Sequence, residues 1–345
     1  MKIKLGVIFG GMSTEHEVSI KSAESILNNL NKEKYEIYQI YINKEGIWYD
    51  YINNMEIENI VKYLKNLDVV FPVLHGLYGE DGTIQGLLEL LKIPYVGCKV
   101  LASSVGMDKV YSKVIFEKAK INQAKYVYIK KFKEKENYIY VEDNFKESVV
   151  NLKKLVDIIK FNLEYPMFVK PSNSGSSVGV NKATNDNELT QNIKIAEKFD
   201  NKILIEQAIF GREIECSVVG NPDIGIDAST PGEILSAEDF YSYDAKYNME
   251  ESKTIIPANL HPVQVKKLQE LAKKAFCAID GNGLARVDFF IEDETQKIYI
   301  NEINTMPGFT DISMYPKLFE NDGLNLGDLL DKLIKISTDE KNLKI

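Results

Sequence analysis

The chain has 345 residues, more than one hydrophobic core usually serves, so two or three domains are expected. Hydrophobic residues make up 44% and charged residues 27%, which excludes wholesale disorder and low-complexity or collagen-like structure. A net charge of −9 argues against a general nucleic-acid partner, and no apolar run approaches the roughly 18 residues of a membrane span. The short apolar stretch Leu5 to Phe9 runs into Gly-Gly and is no signal-peptide core, so a cytoplasmic protein with no membrane partner is expected. The three cysteines (Cys98, Cys216, Cys277) are scattered among apolar neighbours and read as buried free thiols. With three scattered histidines, any catalytic metal must be held by oxygen.

Lys2 to Phe9 predicts a buried strand ending in a Gly10-Gly11 turn, and Ser19 to Leu30 carries apolar residues at helical spacing. Strand signals follow over Glu36 to Ile42 and Asp68 to Leu74, then a Gly-rich loop (His75 to Gly82), a helix over Gln85 to Leu91 and a short strand at Pro94 to Val96. This β-α-β order points to an open parallel sheet with a crevice at the strand C-termini, closing a first domain at residues 1–97. G-x-G-x-x-G is absent and Asn43-Lys44 replaces the acid expected after the second strand, which rejects a dinucleotide site.

A second unit, 98–211, holds a Lys/Glu-dense segment from Ser112 to Asp157 with few turn signals, whose run Lys130 to Lys135 reads as a solvated edge or loop. Strands follow at Met167 to Val169 and Lys202 to Gln207, with a Ser/Gly loop between them. A third unit, 212–345, opens with a strand over Glu213 to Val219 and contains a helix from Pro262 to Ile279 and a hairpin centred near residue 295.

In that hairpin, a side-chain period of two puts Arg286 and Asp288 on one face, with Asp288 opposite Glu302 and Arg286 opposite Asn304. Two carboxylates and an amide so placed either surround a hard cation such as Mg²⁺ or form a solvated face neutralised by Arg286. The loop after Lys170 (Ser172 to Gly179) is either a backbone cradle for phosphate or a surface turn, and Lys109 and Lys170 either meet phosphate or lie along the surface. Glu206 ends a strand and Glu213 follows Gly211, as ribose-binding acids or exposed strand-end charges. Ser236 to Met249, with three tyrosines beside Lys246, reads as a lid or an amphipathic loop. Glu15 is placed at a helix start, exposed at the crevice, to hold an ammonium group or cap the helix.

In order, these segments are GGxSxExEVS (Gly10 to Ser19), HGxxGEDGxxQG (His75 to Gly86), MDK (Met107 to Lys109) and VKPxxxGSSxG (Val169 to Gly179). LIEQ, the tyrosine stretch ending at Tyr247, ARVDFF, NEINTMPGFT and Ser313-Met-Tyr-Pro316 complete the set. The chain resembles the D-alanine–D-alanine ligases of the ATP-grasp superfamily, with motifs spanning residues 10 to 316. The resemblance implies an α/β chain in which an N-terminal open parallel α/β sheet domain precedes an ATP-grasp fold, three domains with the active site between them. It implies ATP and D-alanine as substrates, two Mg²⁺ or Mn²⁺ ions, a role in peptidoglycan precursor synthesis and a homodimer.

Carried onto this sequence, it assigns Asp288, Glu302 and Asn304 to the metals, and Lys109, Lys170 and Lys246 to phosphate. Glu206, Glu213 and Phe290 fall on the adenine and ribose side. Arg286 and the Gly308 N–H form an oxyanion hole. Glu15, Ser176 and Tyr247 form a triad that meets the first D-alanine and fastens the lid; Ser313 and Met314 hold the second carboxylate, and His75 lies near the first substrate. Gln207 stands where some relatives have lysine, and Asn122 to Asn162 carries no motif. The rivals are a D-serine or D-lactate variant, another ATP-grasp carboxylate–amine ligase, a simple kinase and a non-enzymatic nucleotide-binding regulator. The regulator reading predicts loss of a metal ligand or of the oxyanion arginine, and both are intact.

Overall fold

The structure, a computed structural model, describes residues 2–134, 136–235 and 253–343, with no side-chain description for 340–343. The expected lid residues, Lys246 and Tyr247 among them, lie outside the described residues.

The N-terminal segment runs β1 (Ile3–Gly10), α1 (His16–Asn29), β2 (Tyr35–Ile42), β3 (Trp48–Asp50), β4 (Met55–Glu56), α2 (Ile60–Leu64), β5 (Val69–Pro72) and α3 (Thr83–Leu91). Its sheet has the order β4-β3-β2-β1-β5. β1 lies parallel to β2 and β5, as the unbroken apolar run Leu5 to Phe9 requires for a strand covered on both faces. The β3 and β4 edge is antiparallel, an addition the β-α-β reading did not contain. The strand expected at Pro94 to Val96 is a single parallel bridge, Val70 to Tyr95.

Helices α4 (Val100–Met107) and α5 (Lys109–Lys118) lead into β6 (Tyr126–Lys131), β7 (Asn137–Val141), β8 (Glu147–Asn151), α6 (Leu152–Asn162), β9 (Met167–Pro171), β10 (Asn181–Ala183), α7 (Asp186–Ala196) and β11 (Lys202–Gln207). The sheet order is β10-β9-β11-β6-β7-β8, paired antiparallel throughout. The Lys/Glu-dense segment thus folds into a three-stranded meander. Val127, Ile129, Tyr138 and Val150 bury one face against Leu155 and Ile159 of α6, while Lys130 and Glu147 pair at 2.5 Å on the wet side.

The third sheet contains β12 (Gly211–Asn221), β13 (Gly225–Ala228), β14 (Gly232–Leu235), β15 (Lys253–Ile255), β16 (Gly283–Glu292) and β17 (Ile298–Asn304), in the order β15-β14-β12-β16-β17 with β13 beside β12. Helix α8 (Pro262–Ala278) covers one face through Leu268, Ala272, Ala275 and Phe276. Cys277 sits one residue past this buried stripe and is exposed, which corrects the expectation of three buried thiols; Cys98 and Cys216 are buried. Helix α9 (Met314–Asn321) precedes α10 (Leu326–Leu343), whose Leu329, Leu330, Leu333 and Ile334 pack into the core of the first sheet. The chain's last helix therefore closes the core that its first strand opens. Among the described residues no helix is long and apolar enough to cross a membrane.

Candidate active site

Three rungs across β12, β16 and β17 organise the site. Glu213 faces Phe290, Glu215 faces Asp288 and then Glu302, and Ser217 faces Arg286 and then Asn304. Alternation puts these residues on one sheet face, with successive rungs about 6.8 Å apart along the strand. The expected pairings Asp288–Glu302 and Arg286–Asn304 are present. Beyond them the register shifts by one residue between Asp288 and Phe289, so that Phe289 meets Ile300 and Phe290 meets Tyr299.

Two clefts adjoin this face. One, of about 490 Å³, is lined by Phe168, Lys170, Glu206, Glu213 and Phe290 among others. The other, of about 330 Å³, is lined by Glu15, His75, Arg286, Asn304, Gly308 and Ser313 among others, with Met314 also on its wall. They share Lys109, Ser174, Ser176, Ile234 and Glu302. The Ser/Gly loop therefore borders both.

In the larger cleft, Glu206 Oε1 lies 2.5 Å from Lys113 Nζ, and its Oε2 lies 2.5 Å from Lys170 Nζ. Burial alone would push this carboxyl up, but the two ammonium groups outweigh it and hold it at about 2. Lys113 is buried, and burial pulls its own pKa down despite Glu206. The sequence reading missed Lys113; its signal was its place one helical turn after Lys109 on α5.

Lys109 is held at the start of α5 by Asp108, which caps the helix through the Val110 and Tyr111 N–H groups and accepts bonds from Ser172 and Lys202. The Lys109 Nζ donates to Ser174 O at 2.8 Å and lies 3.2 Å from Glu302. Asp108 thereby ties this lysine to the loop that follows Lys170.

In the smaller cleft Glu15 is buried, not exposed, and its side chain does not cap α1; it accepts a hydrogen bond from Ser176. The two residues stand 161 positions apart in sequence. A Cβ at position 175 would come within 2.5 Å of Glu15 Oε2, so any larger residue there would push this carboxylate aside. Glu80, another acid the sequence reading missed, is buried nearby and accepts from the Gly76 N–H at 2.8 Å. Burial, then the Glu15 carboxylate, push its pKa up.

Arg286 donates to both oxygens of Asp288, at 2.8 and 2.7 Å, and its Nε lies 3.1 Å from Glu215. Burial opposes its charge, yet Asp288 and Glu215 hold the guanidinium well above its ordinary pKa. Glu215, also missed, was readable as the second acid on the same face of β12 as Glu213. At the end of β17 the chain turns through Met306-Pro307-Gly308-Phe309. The Gly308 N–H has no protein acceptor among the described residues, and a Cβ at this position would come within 2.7 Å of Ser313 Oγ.

Around the rungs the carboxylates Glu15, Glu80, Glu215, Asp288 and Glu302 face the cations Arg286, Lys109 and Lys317 among the described residues. Such an excess of hard oxygen donors suits divalent cations. No three His, Cys, Asp or Glu side chains among the described residues converge as a ligand set; the third expected ligand, Asn304, is an amide.

The chain matches the family described as D-ala D-ala ligase C-terminus over residues 115–335, and that described as D-ala D-ala ligase N-terminus over 4–63 and 51–98. It belongs to the D-alanine–D-alanine ligase family. Relatives include the D-alanine–D-alanine ligase of Acetivibrio thermocellus, 48% identical over 99% of this chain and 97% of that protein. D-alanine–D-alanine ligase B of Clostridium tetani is 46% identical over 99% and 95%. Among solved structures, the VanG D-Ala:D-Ser ligase of Enterococcus faecalis superposes with a TM-score of 0.84 at 34% identity, covering 98% of this chain and all of that one. The D-alanine–D-alanine ligase of Coxiella burnetii gives 0.80 at 34%, over 99% and 96%. The ATP-grasp fold and the ligase class expected from the motifs are thereby established.

Within this ligase family frame, the expected residues fall into two groups. Lys170, Glu206, Glu213 and Phe290 gather on one side of the shared wall. Glu15, His75, Arg286, Asn304, Gly308, Ser313 and Met314 gather on the other. Asp288 is buried and lines neither cleft, and each of its oxygens accepts a bond from Arg286. Lys246 and Tyr247 cannot be placed with either group, being outside the described residues.

Proposed function

We propose that this chain joins two D-alanine molecules into D-alanyl-D-alanine, with ATP cleaved to ADP and phosphate, as a step in making peptidoglycan precursors in the cytoplasm. The observation that carries the reading is the shared wall between the clefts, where Lys109, Ser174, Ser176 and Glu302 touch both. A phosphoryl group passing from nucleotide to amino acid must cross there.

With the chain divided into 1–97, 98–211 and 212–345, the second and third segments supply this wall, and the first reaches it through Glu15, which accepts a hydrogen bond from Ser176. In the larger cleft, Lys109 and Lys170 neutralise phosphate oxygens while Glu206, Glu213 and Phe290 meet adenine and ribose. Lys246 joins them from the lid. Asp288, Glu302 and Asn304 would hold two Mg²⁺ or Mn²⁺ ions, whose chemistry is to neutralise and orient the phosphates. Each Asp288 oxygen accepts one bond from Arg286 and keeps a second lone pair that could face a cation, while Glu215 offers the guanidinium a second carboxylate.

The carboxylate of the first D-alanine attacks the γ-phosphorus, forming an acyl phosphate as the bond to ADP breaks. Glu15, fixed by Ser176 and by Tyr247 of the lid, pairs with its ammonium group. Ser313 and the Met314 N–H at the start of α9 hold the carboxylate of the second D-alanine, a helix N-terminus being a natural anion site. Its neutral amine then attacks the acyl carbon. Arg286 and the Gly308 N–H stabilise the oxygen of the tetrahedral adduct before phosphate leaves.

A second D-alanine is favoured over D-serine because relatives bearing the D-alanine–D-alanine name reach 48% identity, whereas the D-Ala:D-Ser ligase stands at 34%. The chain is further proposed to act as a homodimer without nucleic-acid or membrane partners.

Glu15→Gln is expected to raise the KM for D-alanine at least tenfold while the KM for ATP stays within about twofold, since loss of one charge-assisted bond is worth roughly 1.5–3 kcal/mol. Steady-state kinetics with each substrate varied checks this. Equal weakening of both substrates would indicate a folding defect and remove Glu15 from its assigned role.

A further inference from the structure

His75 borders the smaller cleft, but both of its ring nitrogens are engaged by protein. Nδ1 lies 3.1 Å from the Met306 carbonyl, which can only accept, so Nδ1 carries the hydrogen. Nε2 is then bare and accepts the Ser22 hydroxyl at 2.9 Å. The Ser22 oxygen in turn accepts the Phe309 N–H at 3.2 Å. This chain of bonds leaves Met306 O and returns at Phe309 N, gripping both ends of the turn that contains Gly308.

The turn depends on that grip. Pro307 has no N–H, the Phe309 N–H goes to Ser22, and the Gly308 N–H, in a residue that borders the cleft, has no protein acceptor among the described residues. Ser22, His75, Met306 and Phe309 are all buried, which limits competition from solvent for these bonds. Burial also pulls the His75 pKa down to about 4, which keeps the ring neutral and its tautomer fixed at physiological pH.

We infer that Ser22 and His75 form a positioning clip that aims the Gly308 N–H at the oxygen of the tetrahedral adduct. They come from α1 and from the loop after β5, and the turn they hold follows β17. The inference rests on the proposed role of Gly308. A donor for developing charge acts only when held in place, and a displacement of about 1 Å costs on the order of 10²-fold in rate. The clip therefore serves turnover and leaves ground-state binding alone.

The test compares Ser22→Ala with His75→Asn, which keeps a donor for Met306 but loses the acceptor for Ser22. Each is expected to lower kcat by about 10- to 100-fold with KM for ATP and D-alanine within about twofold. The affinity for a phosphinate analogue of the tetrahedral adduct should fall by the same factor. The double variant should be no worse than Ser22→Ala, since both cut one chain of bonds. A kcat within twofold of the parent, or a loss confined to KM, overturns the clip. If Ser22→Ala fails to fold, His75→Asn decides by the same criteria.

Amide hydrogen exchange at Phe309 separates this inference from the reading of the site, because it needs no substrate. Exchange at least tenfold faster in Ser22→Ala or His75→Asn supports the clip even if D-alanine proves not to be the substrate. Unchanged protection overturns it even if D-alanine is ligated.

Discussion

Replacing Asp288 by Asn together with Glu302 by Gln is expected to abolish measurable turnover, a loss of about 10³-fold or more. The two side chains face each other across β16 and β17, with Glu215 completing the row on β12. The amides keep the shape but remove the charge that would retain cations against the phosphates. Such cations would supply several kcal/mol of transition-state stabilisation, and each 1.36 kcal/mol is tenfold in rate. The fold should survive, because Arg286 keeps Glu215 as a partner and Lys109 keeps the Ser174 carbonyl. Measurement of kcat beside the binding of Mn²⁺ with ADP by electron paramagnetic resonance checks both halves. Near-normal kcat in a folded double variant would remove these residues from the metal assignment.

Arg286→Ala is expected to lose roughly 10²–10³ in kcat, the usual scale for one oxyanion donor. It carries a second cost. The guanidinium is 15% exposed and neutralises Asp288 and Glu215, which are 3% and 5% exposed, so its removal leaves two buried carboxylates facing each other. Breaking a buried pair in this way costs about 3–5 kcal/mol of stability. Arg286→Lys separates the two effects. Lysine restores a positive charge, and with it most of the stability, but lacks the planar fork that reaches Asp288 and Glu215 together. Its kcat should remain well below the parent's while its urea midpoint returns toward the parent's. A change confined to KM in both variants would instead indicate a binding role.

What the sequence made legible follows from the range of the interactions involved. The pairing of Asp288 with Glu302 and of Arg286 with Asn304 was readable because a hairpin converts sequence spacing into spatial opposition. The one-residue shift beyond Asp288 was not, since a bulge leaves no mark in a two-residue alternation. The meander β6 to β8 was obscured by its exposed Lys and Glu residues, although apolar side chains are buried on both faces, Val127 and Ile129 on one and Tyr128 and Val141 on the other. Glu15 was correctly singled out, but its burial depends on a loop 161 residues away, as do the glycine contacts that enclose it. Lys113, Glu80 and Glu215 went unnoticed because a lone charge acquires meaning only when the fold supplies its partner. The family motifs compensated for part of this by naming residues that no local rule would bring together.

Phosphate release from ATP–Mg²⁺ in the presence of D-alanine, with products identified by mass, tests directly whether the chain forms D-alanyl-D-alanine. L-alanine, D-serine with D-alanine, and D-lactate with D-alanine are run beside it. Release is expected to depend on D-alanine, with one phosphate per dipeptide and D-alanyl-D-alanine as the main product. Faster formation of a mixed D-alanyl product would contradict the assignment of the second substrate at Ser313 and Met314. Absence of release with every amino acid, in a protein that still binds ATP, would contradict the ligase reading of the site.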